Sequence, residues 1–279
     1  MVIESRYPGK RLLSLFLPLF ILLVFILFPF YWTFITSVKP ESELYGAVTY
    51  WPHSVTFVAY QKLFTTTVNF FVAMKNSLIV ALCTTVVSLA VSTLAAYAFS
   101  RYLFTGRKLL MSMFLCNNMF PTVLLLIPLY SIMRKIGLLH THASLVLSYT
   151  TFTIPFSVWL LNGFLNDLPT SLEEAAMIDG CTRGQAFTKI VLPILVPCLV
   201  ATGVYIFMNA WNEYTFAMLF TSIATRTIPV ALKNLIGQLG VQWDLLTAGG
   251  VITIIPVCIL FFFAQKRLVA GLTAGAVKG

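Results

Sequence analysis

Glu174-Ala175-Ala176-Met177-Ile178-Asp179-Gly180, nine further residues, and Ile190-Val191-Leu192-Pro193 lie in a polar island between two long apolar segments, 144–165 and 196–220. Two helix starts are written into this island. Thr170 and Glu173 have the spacing of a capping box, in which the hydroxyl accepts a backbone N–H and the carboxylate reaches back. Thr182 and Gln185 repeat that spacing. Gly180 falls between them, where a glycine ends a helix in a left-handed conformation without steric cost. Pro169 precedes the first helix and Pro193 limits the second. The spacing predicts two short helices at a sharp angle, held at a membrane surface. Leu172, Ala175 and Ala176 on one, and Ala186, Phe187 and Ile190 on the other, fall at helical spacing.

Outward from this island the chain is 59% hydrophobic and 10% charged, with a mean hydropathy of +0.90. A soluble domain carries about 25% charged residues, so the composition is that of an integral membrane protein. The formal charge of +9 is then explained by Lys and Arg that set topology, and it does not argue for nucleic acid. Cys83, Cys116, Cys181, Cys198 and Cys258 form no close-spaced pair, which reads as small buried hydrophobes and not a disulfide or metal framework.

A helix needs about 20 apolar residues to cross the hydrocarbon core. Six segments meet or approach that length: 12–38, 78–99, 109–133, 144–165, 196–220 and 245–264. The prediction is an all-α, polytopic membrane protein, a single transmembrane domain over 1–279 with a polar loop at 166–195. The first segment is too long for the apolar core of a signal peptide and no Ala-x-Ala follows, so it reads as a retained anchor. Six is even, which puts both termini on one side. With that side inside, 11 of the 18 Lys and Arg residues lie there, a modest bias in the expected direction. Pro121, Pro128, Pro155, Gly249, Gly250 and Pro256 interrupt several spans; such breaks serve bending bundle helices and structural kinks alike.

Glu213 is the one acidic residue placed within a span. An ionisable group there is costly and faces a bundle interior or water. Asn209 and Asn212 offer amide donors and acceptors beside it, and Trp211 and Tyr214 offer flat faces. The same residues also suit cross-helix glue. Asn117 and Asn118, near Pro121, form a second polar cluster. His140 and His142 lack a third metal ligand. No Gly-x-x-x-x-Gly-Lys-[Ser/Thr] loop is present, and no nucleophile–base pair stands out.

The pattern Glu174-Ala175-Ala176, Gly180, Ile190, Leu192-Pro193 resembles the cytoplasmic loop of the membrane subunits of binding-protein-dependent ABC importers. Arg101-Tyr-Leu-Phe104-Thr-Gly106-Arg107-Lys108, Ala210-Trp211-Asn212-Glu213-Tyr214 and the end Gly271–Gly279 extend the resemblance to the last residue. The chain is similar to the second permease subunit of carbohydrate importers of the maltose type, with a type I ABC importer permease fold.

This resemblance implies a non-catalytic permease subunit in a bacterial inner membrane, both termini cytoplasmic, forming half of a sugar pathway. Its implied partners are a second homologous permease subunit, two copies of a cytoplasmic ATPase, an extracytoplasmic sugar-binding protein and the lipid bilayer. ATP and Mg belong to the ATPase, and no cofactor is expected on this chain. Glu173, Glu174, Ala175, Ala176, Asp179, Gly180, Ile190, Leu192 and Pro193 are the expected coupling residues. Asn209, Trp211, Asn212, Glu213, Tyr214, Asn117 and Asn118 are the candidates for the path. In the loop 221–244, Asn234, Gly237, Gln238 and Gly240 are the expected binding-protein contacts. The tail from Thr273 is expected to run near the ATPases. A secondary transporter is the rival reading, disfavoured by the absence of inverted repeats and by a lone intramembrane carboxylate. An intramembrane enzyme is the other, and it lacks a catalytic pair.

Overall fold

Long apolar runs can satisfy their backbone polar groups without water by helix formation, and helices account for nearly all regular structure here. The computed structural model describes residues 8–65, 69–237 and 240–276, with side chains placed for 14–65, 69–237 and 240–266. The elements are α1 (Pro8–Ser37), α2 (Glu41–Leu44), α3 (Val58–Thr65), α4 (Phe70–Arg101), α5 (Arg107–Met119), α6 (Leu126–Lys135), α7 (His142–Asp167) and α8 (Ser171–Ile178). They continue as α9 (Arg183–Ala186), α10 (Leu192–Asn212), α11 (Thr215–Phe220), α12 (Ile228–Lys233), a hairpin of β1 (Ile236–Gly237) and β2 (Gly240–Val241), and α13 (Trp243–Ala276).

Among the described residues, five helical stretches are long and apolar enough to cross a bilayer: Ser14–Ser37, Phe70–Arg101, His142–Asp167, Arg183–Asn212 and Trp243–Lys266. The segment 109–133 differs from a single continuous span, broken at Pro121, one of the prolines expected to interrupt it. It is a helix pair, Arg107–Met119 and Thr122–Lys135, bent by 99°, and the count reaches six if the pair is one span. The bend sits where Phe120, held extended (ψ 129°) ahead of Pro121, cannot continue the helix. The segment 196–220 also differs. The helix stops at Asn212, Glu213 is extended (ψ 126°), and the short α11 follows.

The chain forms two compact units, one of Met1–Phe70 with Leu232–Ile254 and the other of Phe71–Ala231 with Ile255–Gly279. Within the first, the connection after α1 is fastened by polar side chains. Lys39, 4% exposed, donates to the Thr49 carbonyl and lies over the Trp32 ring. The Glu43 carboxylate accepts from the Thr49 hydroxyl and the His53 N–H. The Thr49 hydrogen bond first, then the His53 N–H and the nearby charges of His53 and Lys39, hold this carboxyl below its usual pKa. Tyr45 donates to the Val241 carbonyl of the hairpin at 2.8 Å.

Gly249 of α13 is packed tightly in the same unit: a Cβ there would lie 2.6 Å from Leu232 Cδ2 and 3.2 Å from Phe70 Cε2. Gly249→Val therefore overpacks the contact and is expected to destabilise by about 1–3 kcal/mol. Gly250→Ala, whose Cβ would sit 3.8 Å from Thr33 Cγ2, is the tolerated control. Thermal melting of the detergent-solubilised protein checks both, and equal melting of Gly249→Val and wild type would refute the packing assignment.

In the second unit α4, α7 and α10 pack together. Small residues on α4 (Ser77, Ala81, Thr84, Ser88, Ser92, Ala96) are buried and let helix backbones approach closely. Ser88 and Thr153 share a hydrogen bond of 2.8 Å between α4 and α7. Gly203 of α10 lies against α4, where a Cβ would be 3.2 Å from Leu89 Cδ1. At one end, Ala96, Tyr97, Phe99, Val158, Leu161, Leu165, Val191, Leu195 and Cys198 form a core. It seats the polar island.

Candidate functional site

The first helix of the polar island is short, as its spacing predicts, but the second opens a helical stretch from Arg183 to Asn212, and the caps are unequal. Thr182 accepts from the Gln185 N–H and the Gln185 side chain accepts from the Thr182 N–H, so the second capping box is complete. The first does not form. Thr170 is helical (φ −65°, ψ −25°) and caps nothing through its side chain. The reason is Glu173, whose carboxylate is turned inward to Arg101 and Tyr97. A charged donor outcompetes a backbone N–H for a carboxylate.

Between the helices Gly180 is left-handed (φ 90°). Its N–H donates to the Met177 carbonyl at 3.1 Å, and the Cys181 N–H donates to that of Ala176 at 2.9 Å. These are the two bonds of a Schellman motif, and they end α8 sharply. Pro193 does not limit the second helix. Residues Phe187–Val191 form a π turn, with the Leu192 N–H donating to Phe187 O, and α10 continues through Pro193. The widened turn accommodates a ring that would clash with the carbonyl four residues back.

Of the expected coupling residues, Glu174, Ala175, Asp179 and Gly180 are exposed, as is Pro193, and Ile190 and Leu192 are half-buried. Ala176 and Glu173 are buried, so their side chains serve this chain's own packing. Ile178, 86% exposed, completes the outward face. Periodicity alone did not single it out.

The second feature is a cavity of about 280 Å3 lined by Asn117, Asn118, Thr122, Tyr149, Phe152, Thr153, Tyr205, Asn209, Ala210, Glu213 and Phe216. It lies where α5 and α10 break. Glu213 is the pivot: Oε1 accepts from the Phe216 N–H at 2.9 Å, and Oε2 accepts from the Ala217 N–H at 3.1 Å and the Tyr149 hydroxyl at 2.6 Å. The carboxylate thus caps α11, favourably placed at a helix N-terminus. Asn209 and Asn118, both lining the cavity, donate to carbonyls one turn back, Tyr205 O and Phe114 O.

Asn117, Asn118, Asn209 and Glu213 are therefore brought together, whereas Trp211, Asn212 and Tyr214 are not among the lining residues. Trp211 is 2% exposed and stacks on Phe207; Asn212 donates to Met208 O and Tyr214 to Met218 Sδ. Tyr149, Thr153 and Tyr205 are lining residues not expected from the sequence, Tyr149 one turn from Thr153 and Tyr205 one turn from Asn209. The signal was a polar residue one turn from each, readable only once the two helices are known to face one space.

In the loop 221–244, Asn234, Gly237 and Gly240 are exposed. This loop contains the β1–β2 hairpin, paired Ile236 to Val241 and Gly237 to Gly240. Gln238 lies outside the described residues. α13 runs to Ala276, so the expected tail from Thr273 begins within this helix; residues 277–279 lie outside the described residues.

Residues 88–274 match the family described as binding-protein-dependent transport system inner membrane component. The chain is 39% identical over 279 residues to the sulfoquinovosyl glycerol transport system permease protein SmoH of Agrobacterium fabrum, covering 99% of this chain and 97% of that one. It is 39% identical to the trehalose transport system permease protein SugB of Mycobacterium tuberculosis, covering 91% of this chain and 93% of that one. In fold it is similar to a chain of a bacterial ABC transporter involved in the import of the acidic polysaccharide alginate, with a TM-score of 0.81, 23% identity, and coverage of 96% of this chain and 100% of that chain.

Proposed function

Because the chain belongs to the inner membrane components of binding-protein-dependent transport systems, we propose that it is the permease subunit of an ATP-driven sugar importer, forming half of the translocation pathway. Its other half is a second homologous permease subunit. Two copies of an ATPase subunit hold ATP and Mg, and an extracytoplasmic sugar-binding protein delivers the solute. Both termini and the 166–195 loop lie on the ATPase side. Closure of the ATPases draws the loops of the two permeases together, and the bundles rock between inward- and outward-facing states.

The observation that carries this reading is the exposed face of α8 and its turn. Glu174, Ala175, Ile178 and Asp179 point outward from a helix whose opposite side is fastened by Glu173 and Ala176. A rigid helix with a charged and apolar outer face fits a cleft in a partner. The cavity supports a polar solute path. Its amides and hydroxyls match sugar hydroxyl groups, while Phe152, Tyr149 and Tyr205 offer ring faces. The β1–β2 hairpin, with exposed Asn234, Gly237 and Gly240, is the surface proposed for the binding protein.

The test is uptake of labelled trehalose, and of other neutral and anionic glycosides, into proteoliposomes holding this chain, the second permease and the ATPase of the same system. Uptake is expected only with ATP inside the lumen facing the ATPase and with loaded binding protein outside. Uptake driven by an ion gradient without the ATPase would overturn the proposal in favour of secondary transport.

A further inference from the structure

We infer that Arg101 and Glu173, with Tyr97, form a buried strut that makes α8 move as one body with α4 and α7, so that these two residues are positioning residues for coupling. This rests on the importer role proposed above. Glu173 lies on the helix proposed to meet the ATPase, yet its side chain is only 7% exposed, and that of Arg101 only 9%. Arg101, the last residue of α4, donates through Nε to Glu173 Oε1. Its Nη1 donates to Leu165 O at 3.0 Å, and Nη2 to Leu168 O at 3.2 Å. Those carbonyls belong to the C-terminal end of α7, where Leu165 O also accepts the Leu168 N–H and the helix end favours a cation. One guanidinium therefore ties three helix ends together.

Tyr97, one turn back on α4, donates to the other carboxylate oxygen, Glu173 Oε2, at 2.6 Å. Its ring packs on Phe187 of the π turn, with centroids 4.6 Å apart. Arg183 of α9 lies over the Tyr102 ring at 5.3 Å. The carboxylate is thus held from two directions by α4, and α9 is held by the residues around it.

The consequence reaches the cavity along α7. Leu165, whose carbonyl Arg101 holds, is 16 positions from Tyr149, about 24 Å of helix at 1.5 Å per residue. Tyr149 donates to Glu213, the residue that sets the α10–α11 break. A tilt of α7 driven at the loop therefore moves a cavity wall. A purely stabilising role does not require this arrangement, because well-packed apolar side chains of similar volume often replace a buried ion pair without loss of stability. What apolar side chains lack is direction: they slide where an ion pair whose remaining N–H groups hold the α7 carbonyls keeps register.

The test uses the reconstituted complex, with solute imported per ATP hydrolysed as the readout. Arg101→Met/Glu173→Leu removes the pair together and avoids a stranded buried charge. It is expected to assemble and to import about five- to a hundredfold less solute per ATP, the usual range of coupling between sites. Tyr97→Phe deletes one hydroxyl, keeps the assay readable if the double variant fails to assemble, and is expected to lower the ratio by about fivefold. An unchanged ratio in either assembled variant overturns the strut while leaving the importer role standing. Absence of ATP-dependent uptake by the wild-type complex would overturn the importer role, and the strut with it.

Discussion

Gly180→Asp is expected to reduce, by about ten- to a hundredfold, the stimulation of ATP hydrolysis by loaded binding protein in the assembled transporter. Gly180 stands at φ 90°, a conformation that costs a non-glycine residue roughly 1–2 kcal/mol. Space is not the obstacle, since a Cβ there would meet nothing within 4 Å. The cost is in the backbone alone, and it falls on the two Schellman bonds that end α8. Asp adds a second carboxylate next to Asp179 at a helix C-terminus, where negative charge is unfavourable by about 0.3–1 kcal/mol. Together these come to about 1.3–3 kcal/mol, against the roughly 1.4 kcal/mol that corresponds to a tenfold change in rate. Gly180→Asn, which shares Asp's tolerance of left-handed backbone but adds no charge, is expected to retain more stimulation. ATP hydrolysis with and without loaded binding protein measures the effect. Equal stimulation in Gly180→Asp and wild type would remove the loop from the coupling path.

Glu213→Ala has the other large expected effect. The substitution strands the Tyr149 hydroxyl, whose residue is 2% exposed, and uncaps the Phe216 and Ala217 N–H groups. Loss of a cap costs about 0.5–2 kcal/mol, and an unpartnered buried hydroxyl about 1–3 kcal/mol. The expected outcome is a lower melting temperature and a lower yield of assembled complex, together with reduced uptake. Glu213→Gln keeps the shape and one acceptor oxygen, but it turns an amide donor toward groups that themselves donate, so an intermediate loss of stability is expected. If Glu213 instead acted on the solute alone, Gln would lower uptake at unchanged melting temperature. Wild-type melting and uptake in Glu213→Ala would falsify the positioning of the break by this residue.

Local features of the loop were legible because the forces behind them are local. The Thr182–Gln185 box joins residues three apart, and its bonds form whatever lies elsewhere in the chain. Gly180 took the left-handed conformation because no other residue type enters it so cheaply. The long helices followed from apolar length, because a backbone in hydrocarbon must satisfy its own N–H and C=O groups. Cavity residues Asn117, Asn118, Asn209 and Glu213 were visible as polar groups in apolar surroundings, where polarity is expensive.

Tertiary structure decided the points at which a distant partner outbid a near one. Thr170 and Glu173 have the spacing of a cap, yet Glu173 pairs with Arg101, 72 residues earlier, because an ion pair in a dry environment is stronger than a carboxylate–amide bond at an exposed helix end. Glu213 reads as a mid-span charge until Tyr149, 64 residues earlier, is seen to hold it at a helix break. The 99° bend at Pro121 and the π turn ahead of Pro193 stand between these cases: a proline states that one hydrogen bond is missing, and the sequence does not say whether the helix breaks or widens a turn to absorb it.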